Sequence, residues 1–480
     1  MAFLHGVETV EVPKGGVSIS VVKSATIALL GIAPEGNTEE LILVSNPTDA
    51  AQFGAVLPGF NIPQALDLIY KQGGSTVVVV NVYDEDLHRV AVTDEALTVA
   101  NRKAKLEFAP IGFTAGSPAS KLILTKAGSP AVIYAEDVDY TLDKFGNLVF
   151  ISSQVLDGAS LLATYMKLDV DAVTDAKLIG TTSGSNVKTG SVLFDNCYNT
   201  FGFKCKLYIC PDFDERNAIA TQLRVLSTKF KGVDIVTAPA GTSKSTAITG
   251  RGPLGTINFQ TSSKRSMLLY DHMIISDPDP GKASGSEKTV SYSAIFAGIT
   301  CNTDNNEGYW VSPSNHIIQG VLRPAISLSW AINDASTDVN ALNEVAITSA
   351  ANGFGTGIRT WGNRNASFPV SSGLETFMAI VRTADIVDES VERAMLPFID
   401  KPINQAHIDS ITESVQEFIN VLIGRNALLI GSKCYYDAAD NPPAELAQGH
   451  LVLRTNYCSG PPNERITFNR TIDSSLLVFS

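Results

Sequence analysis

The sequence predicts a mixed α/β, multidomain fold. Three observations lead to this class: strand–helix–strand patterns flank a β-rich stretch, the final third is rich in helix patterns, and both ends read as extended segments. A length of 480 residues suggests two to four domains at about 100 to 200 residues each. The predicted architecture is an α/β core with a β-rich insertion, a C-terminal α+β domain and a strand-like arm at each end.

The N-terminal stretch FLHGVETVEVPKGGVSISVV alternates polar and β-branched residues and has too little apolar surface for a core of its own. We assign residues 1–24 to an extended arm and take Val7, Val10 and Val12 as candidate contacts with a neighbouring subunit. Twenty extended residues reach about 65 to 70 Å, which is far enough to pair with another chain.

The α/β core begins at Ala25. The runs ATIALLGIA, NIPQALDLIYKQGG and STVVVVNV predict a βαβ unit, whose helix carries Pro63 in its first turn and ends at Gly73 and Gly74. The pattern resumes after a break with LFDNCYNTFG, KLYICPD, ERNAIATQLRVLSTKF, VDIVTAP and RSMLLYDHMII. Residues 25–86 and 190–355 are therefore predicted to form one core.

Residues 87–189 differ from the core in pattern. Short alternating runs such as KLILTKAGSPAVIY and DVDYTLDKFGNLVFI, separated by Gly, Pro, Asp and Asn, predict a β-rich inserted domain.

Residues 356–462 are predicted to form a C-terminal domain of helices followed by two hairpin-like strands. Its helix NQAHIDSITESVQEFINVLIG carries apolar residues on one face at Ile408, Ile411, Val415, Phe418 and Leu422. Asp409, Glu413 and Glu417 lie on the other face, which is either a solvated surface or a strip that docks a partner.

The chain finishes, after a Gly-Pro-Pro break, with the strand-like run ERITFNRTI. We assign residues 463–480 to a C-terminal arm, with Ile466, Phe468 and Arg470 as candidate intersubunit contacts.

Composition argues against several classes of partner. The 49 acidic and 36 basic residues give a net charge of −13, which opposes direct nucleic-acid binding. No apolar run approaches the roughly 20 residues of a membrane span, and the N-terminus lacks the pattern of a secretory signal. The six cysteines never form CxxC, so we expect buried thiols rather than zinc, with an intersubunit disulfide as the alternative.

Searches for catalytic motifs predict no catalytic, cofactor or metal site. PAGTSKSTAITGRG has no GxxxxGK[ST] and is interpreted as a surface loop, while LLGIAPEG has no GxGxxG. HExxH, GxSxG and a complete EF-hand loop do not occur. Asp212, Asp214 and Glu215 follow a predicted strand, where they are either enzymatic carboxylates or, as we favour, the cap of the next helix.

Two motifs carry a resemblance to a known family. They are GYWVSPSNHIIQGV at 308–321 and GIRTWGNRN at 357–365, and together they resemble contractile tail sheath proteins. The positions that match are Trp310, Pro313, Asn315 and Gly320 in the first motif, and Trp361, Gly362 and Arg364 in the second. Asn363 and Asn365 depart from the family pattern, in which small residues or threonine are common.

The resemblance implies a structural protein that forms six-subunit rings stacked as a helical sheath around an inner tube. Contraction of that sheath drives the tube through a target envelope, and arms from neighbouring subunits add strands to a C-terminal sheet. The implied partners are further copies of the chain, the inner tube protein, and baseplate and tail terminator proteins, with no cofactor, no direct nucleic-acid contact and no membrane insertion. The implied location is the virion tail after assembly in the host cytoplasm, with the insertion outside and Asp409, Glu413 and Glu417 as candidate tube contacts.

The glycine-rich stretch around Trp361 is interpreted as a turn that Trp361 anchors between the core and the C-terminal domain. Arg359 and Arg364 then satisfy nearby carbonyls or reach a carboxylate of a neighbouring subunit. Two alternatives to a sheath remain at this point: another self-assembling tail or surface-lattice protein, and a soluble α/β enzyme.

Overall fold

A computed structural model describes residues 18–112, 121–353 and 355–477. These residues form strands β1 Thr26–Gly31, β2 Leu41–Val44, β3 Thr76–Asn81, β4 Arg89–Thr98, β5 Lys103–Lys105, β6 Leu122–Lys126, β7 Ser129–Tyr134, β8 Tyr140–Leu142, β9 Asn147–Phe150, β10 Ser160–Leu168, β11 Leu207–Ile209, β12 Val233–Thr237, β13 Ser266–Leu269, β14 Met273–Ser276, β15 Glu287–Val290, β16 Arg323–Pro324, β17 Ile347–Asn352, β18 Ile358–Trp361, β19 Lys433–Tyr436 and β20 Leu453–Asn456.

The same residues form helices α1 Pro47–Ala50, α2 Asn61–Lys71, α3 Asp175–Ile179, α4 Cys197–Phe201, α5 Asn217–Lys229, α6 Lys244–Thr249, α7 Tyr292–Asn306, α8 Asp338–Asn343, α9 Met378–Ala394, α10 Gln405–Gly424 and α11 Pro443–Leu446. Within the described part of the chain, no helix is long and apolar enough to cross a membrane.

The core is an eight-stranded sheet with the order β18-β17-β13-β12-β11-β1-β3-β2. Its six central strands run parallel, and the outer strands β2 and β18 run antiparallel to their neighbours. Because β1 and β3 pair in parallel and α2 lies between them in sequence, the predicted βαβ unit is confirmed. The mixed α/β class is confirmed with it.

Alternate residues of the central strands face opposite layers of helices, as the period of two requires. Ile27 and Leu29 pack in a cluster with residues of α2 and α7, whereas Ala28 and Leu30 pack in a second cluster with residues of α5. Every residue of β1 is buried, which explains its nearly continuous apolar sequence.

The insertion consists of two antiparallel sheets, β4-β10-β6-β7 and β5-β9-β8, around a core of its own. The segment that follows β10 behaves differently, because Val173 and Leu178 are buried in the core cluster and α3 contacts α5. At the other predicted boundary, residues 358–361 form β18 of the core sheet. The structure thus favours an insertion shorter than residues 87–189 and a C-terminal domain that begins after Trp361.

The C-terminal domain is built from α9, α10 and the β19–β20 hairpin. Val387, Val415, Phe418, Leu422 and Cys434 are buried together in one apolar cluster, and β19 packs against α10. The amphipathic helix and the antiparallel hairpin predicted from the sequence are confirmed.

Two local interpretations were wrong. The acidic residues before α5 do not cap it: its cap residue is Arg216, and Asp214 instead accepts a hydrogen bond from the Thr237 backbone N–H at 3.1 Å. The predicted surface loop PAGTSKSTAITGRG contains α6, whose cap Ser243 accepts from the Thr246 N–H. Both errors come from tertiary or local partners that the pattern alone does not reveal.

Candidate assembly interfaces

The two sequence motifs form one structure, because the first motif lies alongside the edge strand formed by the second. The Asn315 N–H donates to the Thr360 carbonyl at 2.7 Å, and the Thr360 N–H donates to the His316 carbonyl at 3.0 Å. The Ile318 N–H donates to the Ile358 carbonyl at 2.8 Å. Residues 315–318 therefore extend the core sheet beyond β18.

Side chains fix this pairing. The Thr360 hydroxyl donates to the Pro313 carbonyl at 2.5 Å, and the Gly362 N–H donates to the Ser314 hydroxyl at 3.0 Å. Arg359 donates to the Asn315 carbonyl at 2.8 Å, so the first of its two predicted roles holds within the chain. Pro313 is itself buried.

Backbone conformation explains two of the motif residues. Gly362 has φ +142°, and a Cβ there would lie 2.5 Å from the Thr348 hydroxyl and 2.8 Å from its Cα, so only glycine fits. Asn315 has φ +65°, a left-handed conformation that asparagine tolerates better than most residues. Gly320 has φ +72°.

The two motif tryptophans, Trp310 and Trp361, pack in different parts of the fold. Trp361 packs edge-to-face on Trp330 of a core loop at 5.0 Å between centroids, whereas Trp310 packs on the C-terminal cluster of α9 and α10. Trp310 therefore occupies the join that the sequence interpretation gave to Trp361. Trp361 lines a groove of about 940 Å³ together with Trp330, Arg364 and residues 462–468.

Arg364 holds the start of the C-terminal segment. Its guanidinium donates to both carboxylate oxygens of Glu464, at 2.8 and 2.5 Å, and to the Thr376 hydroxyl at 2.6 Å. The same group lies 4.3 Å from the Phe368 ring centroid and 4.1 Å from that of Phe377. Its carboxylate partner thus belongs to its own chain.

Apart from that ion pair, residues 463–477 are exposed. Ile466 is 69% exposed and Phe468 is 88% exposed, and Arg470 is also exposed. No backbone hydrogen bond joins residues 460–472 to any other described residue. Large apolar side chains and unpaired backbone groups in one extended segment are the two properties of a strand that lacks its sheet.

The N-terminal candidates Val7, Val10 and Val12 lie outside the described residues. The adjoining stretch 18–24 lies on the C-terminal domain of the same chain, since the Val22 N–H donates to the Ser390 hydroxyl of α9 at 3.1 Å. Ile19 and Val21 pack on the apolar cluster of α9 and α10. The root of the N-terminal arm is therefore held by its own chain.

The β19–β20 hairpin offers edges to which such a strand could add. Its strands pair with each other over Lys433–Tyr436 and Leu453–Asn456, and each has a second edge that meets no other strand in the described part of the chain. The hairpin and the N-terminal stretch 18–24 lie in one region of the fold, around α9 and α10.

Comparison with known proteins decides the family. The phage tail sheath protein central domain model matches residues 189–366, a range that includes both motifs. The tail sheath protein of Burkholderia phage BcepMu is 38% identical over 481 residues, which cover 99% of this chain and 98% of that protein. The chain belongs to the phage tail sheath protein family. The resemblance inferred from the two motifs is thereby confirmed, and the protein is a structural component of a tail sheath.

Two solved structures share the fold of this sheath family member over nearly its whole length. The anti-feeding prophage helical sheath in its contracted state gives a TM-score of 0.59 at 14% identity, covering 98% of this chain and 100% of that one. The PVC sheath complex of an extracellular contractile injection system, also contracted, gives 0.59 at 13% identity and 99% coverage of both chains.

A row of ion pairs joins α9 of this sheath protein to its core. The core-facing residues of α9 are spaced by three and four positions, as one helix face requires. Their pairs are Arg382 with Asp304, Asp385 with Arg265, Glu389 with Lys206 and Glu392 with Lys231. Sequence inspection missed them, although the charges recur at helical spacing in a stretch read only as helix.

The Arg382–Asp304 pair is the most deeply buried of these pairs. Its two hydrogen bonds measure 2.7 and 2.5 Å, and neither side chain is more than 4% exposed. Burial lowers the pKa of Lys206, although Glu389 opposes this effect. Buried charges of this kind fix geometry more than they stabilise, because desolvation offsets most of the attraction.

Asp409, Glu413 and Glu417 are exposed along one face of α10, opposite the buried Ile408 and Val415. That arrangement agrees with both readings of this face, so the tube contact remains a prediction.

The point where an α/β enzyme would bind its ligand is filled by a side chain. Strand order reverses between β11 and β1, and ligands of open α/β sheets bind at the carboxyl ends of strands at such a point. Here the buried Asn61 accepts from the Ile32 N–H at 2.8 Å and donates to the Pro211 carbonyl at 2.8 Å. Gly31 leaves room for it, because a Cβ there would lie 2.2 Å from the Asn61 oxygen.

Proposed function

We propose that this chain is the subunit of a contractile tail sheath that polymerises as stacked hexameric rings around an inner tube. In this proposal, the C-terminal segment of one copy adds a strand to the β19–β20 hairpin of another copy. The N-terminal arm, residues 1–24, does the same from a second neighbour through its first part, which includes Val7, Val10 and Val12. Contraction then drives the tube through the target cell envelope.

The observation that carries the proposal is a C-terminal segment without backbone partners among the described residues, in a chain whose β19–β20 hairpin has open edges. Ile466 and Phe468 alternate with polar residues, as they would in a strand with one buried face. Head-to-tail contacts between such segments and hairpins do not pair a surface with itself, and contacts of this kind generate rings or helical polymers. Family membership makes a sheath the polymer to expect.

The fold is also consistent with a mechanical rather than a catalytic role. Asn61 fills the crevice that a ligand would need, and the groove beside Trp361 is lined by the chain's own residues 462–468. Energy for contraction would be stored at assembly, in an extended lattice that is kinetically trapped. We infer that contraction buries more surface between subunits, and equal buried areas in the extended and contracted polymers would contradict this.

The inner tube protein, the baseplate and the tail terminator are the proposed partners, and the virion tail, assembled in the host cytoplasm, is the proposed location. Asp409, Glu413 and Glu417 are proposed tube contacts. Their exposure on one helix face supports this assignment.

Electron microscopy tests the proposal. Purified full-length chain, imaged beside a chain that lacks residues 1–20, should form hollow striated cylinders that the truncated chain does not form. If the truncated chain forms the same cylinders, donation of the N-terminal strand is wrong. Discrete globular particles from both chains, even when the tube protein is added, would contradict the sheath.

A further inference from the structure

Two thiols that the sequence separates by eight positions touch in the structure. The sulfur atoms of Cys197 and Cys205 lie 3.6 Å apart, and the two side chains are 2% and 1% exposed. All six cysteines are free thiols. Among the described residues, no second pair of cysteines shares a hydrogen bond.

The segment between these thiols joins a short, partly exposed helix to a strand of the core sheet. Cys205 lies two residues before β11 of the core sheet, whereas Cys197 begins the short helix α4, whose residues Tyr198–Thr200 are exposed. Gly202 ends that helix in the left-handed conformation with φ +75°. A disulfide bond is about 2.05 Å long, so closure needs a shift of about 1.5 Å, which an exposed turn can supply.

The same segment is the seat of the N-terminal arm. The Lys23 ammonium lies 4.6 Å from the Phe203 ring centroid, and the Thr26 hydroxyl donates to the Lys204 carbonyl at 3.2 Å. A bond that restrains residues 197–205 therefore also restrains residues 23–26, where the N-terminal arm joins the core.

We propose that Cys197 and Cys205 form a redox-sensitive dithiol that closes to a disulfide when it meets a low-molecular-weight disulfide, and so stiffens the seat of the N-terminal arm. The dithiol stays reduced in a reducing cytosol. That the disulfide forms after assembled particles are released rests on the proposed function. The reaction between the two thiols and a small disulfide does not.

The reaction is thiol–disulfide exchange. The Cys197 thiolate attacks one sulfur of the small disulfide, whose other half leaves as a thiolate; the Cys205 thiolate then attacks the Cys197 sulfur and expels the second half. The protein loses two protons and two electrons, and the small disulfide is reduced to two thiols. The hydrogen bond from the Cys205 thiol lowers the pKa of Cys197, whereas burial raises the pKa of Cys205, so Cys197 attacks first.

Peptide mapping tests this directly on the purified full-length chain, without any need for polymerisation. The chain is incubated with oxidised glutathione or with a reducing phosphine, unfolded, alkylated and cut with trypsin. Lys204 lies between the two thiols, so cleavage after it places them in separate peptides. We expect a cross-linked peptide pair joining Cys197 to Cys205 in the oxidised sample and two alkylated peptides in the reduced one. Full alkylation of both thiols in the oxidised sample, or linkage to other cysteines, would overturn the proposal.

Thermal unfolding supplies the second readout. Oxidation should raise the unfolding midpoint of the wild-type chain by about 2 to 5 °C, because the closed loop restricts the unfolded chain. Cys197→Ala should abolish this shift, and Cys458→Ser, at a half-buried cysteine outside the pair, should retain it. If Cys197→Ala does not fold, the wild-type map alone decides. A shift that persists in folded Cys197→Ala would contradict the assignment even if the chain forms no sheath.

Discussion

The junction between α9 and the core contrasts with the C-terminal segment. At the junction, buried charged side chains are paired with opposite charges of the same chain. Arg382, for example, donates two hydrogen bonds to the carboxylate of Asp304. In the C-terminal segment, Ile466 and Phe468 find no cover, and residues 460–472 share no backbone hydrogen bond with any other described residue.

The difference shows which part of the molecule is complete in a single copy. A buried charge without a partner strongly destabilises a domain. Because the charges at the junction are paired within one chain, the junction needs no second copy. An extended apolar segment left in water is an aggregation hazard unless it has a specific destination. In the proposed assembly, the C-terminal segment is therefore the part that another copy completes.

The largest expected effect comes from charging the apolar face of the C-terminal segment. Ile466→Asp with Phe468→Asp should weaken polymerisation by about two to four orders of magnitude, because each side chain contributes about 1.5 to 3 kcal/mol when it is buried. The measurement is the critical concentration for assembly, by sedimentation. The unfolding midpoint of the unassembled chain should stay the same, because both side chains are exposed in it.

Thr467 supplies the matched control for that double variant. It lies between the two apolar residues and, in a strand, points to the opposite face, so Thr467→Asp should have a much smaller effect on assembly. Equal losses from both variants would show that charge alone, and not burial of one face, disturbs the polymer.

Removing one partner of a buried ion pair at the junction between α9 and the core should have the next largest effect, and this effect is on the stability of the single chain rather than on assembly. Arg382→Met leaves the buried Asp304 without its partner and should lower the free energy of unfolding by about 3 to 5 kcal/mol. Urea unfolding followed by circular dichroism measures this loss. Arg454→Met breaks an Arg–Asp pair with Asp440 at the surface and should change little. Similar losses of stability in Arg382→Met and Arg454→Met would contradict the expectation that the buried ion pair matters more than the exposed one.

The pH dependence of stability tests a second buried charge of the core. Burial opposes the charge on His272, but the carboxylates of Asp271 and Glu215, the latter 2.9 Å from Nε2, and the nearby Asp214 raise its pKa to about 10. A raised folded-state pKa stabilises the folded chain below about pH 6.5, and that stabilisation is lost as the pH rises through 10. Stability should therefore fall by about 2 to 4 kcal/mol over this range, as urea titrations would show.

His272→Gln removes the titrating group, so the same titration should be flatter between pH 7 and 10. If the variant shows the same pH dependence of stability as the wild-type chain, the loss of stability is caused by other titrating residues.

The smallest effect is expected at the ion pair that positions the C-terminal segment. Glu464→Gln keeps the shape of the side chain but loses its charge opposite Arg364. Since Glu464 is 38% exposed, the pair contributes less than about 1 kcal/mol, and the critical concentration should rise less than about fivefold. Glu35→Gln, at an exposed carboxylate of the core, is the control and should leave assembly unchanged. A larger rise would mean that Arg364 holds more than the root of the segment.

Sequence reasoning recovered what periodicity and turn residues encode locally. The parallel β1–α2–β3 unit, the amphipathic α10 and the β19–β20 hairpin each have a pattern of their own. The two motifs were recognised separately, but that they hydrogen-bond to each other was not, because pairing between residues 315 and 360 is a long-range property.

The errors were also long-range in origin. Asp214 bonds to Thr237 across the sheet and not to its own helix, and Trp310 rather than Trp361 meets the C-terminal cluster. The sequence predicts only a helix at α9, and the distant partners Asp304, Arg265 and Lys206 show that its charged side chains are buried. Helical spacing indicates that residues share a face, but not what that face meets.

Hydrogen exchange of the C-terminal segment tests the central claim most directly. Deuterium uptake of residues 462–472 would be measured by mass spectrometry in the unassembled chain and in the polymer. The account predicts rapid exchange in the unassembled chain and strong protection in the polymer, because strand addition gives these amides partners. Equally rapid exchange in both states would show that the segment is not donated, and would contradict the account.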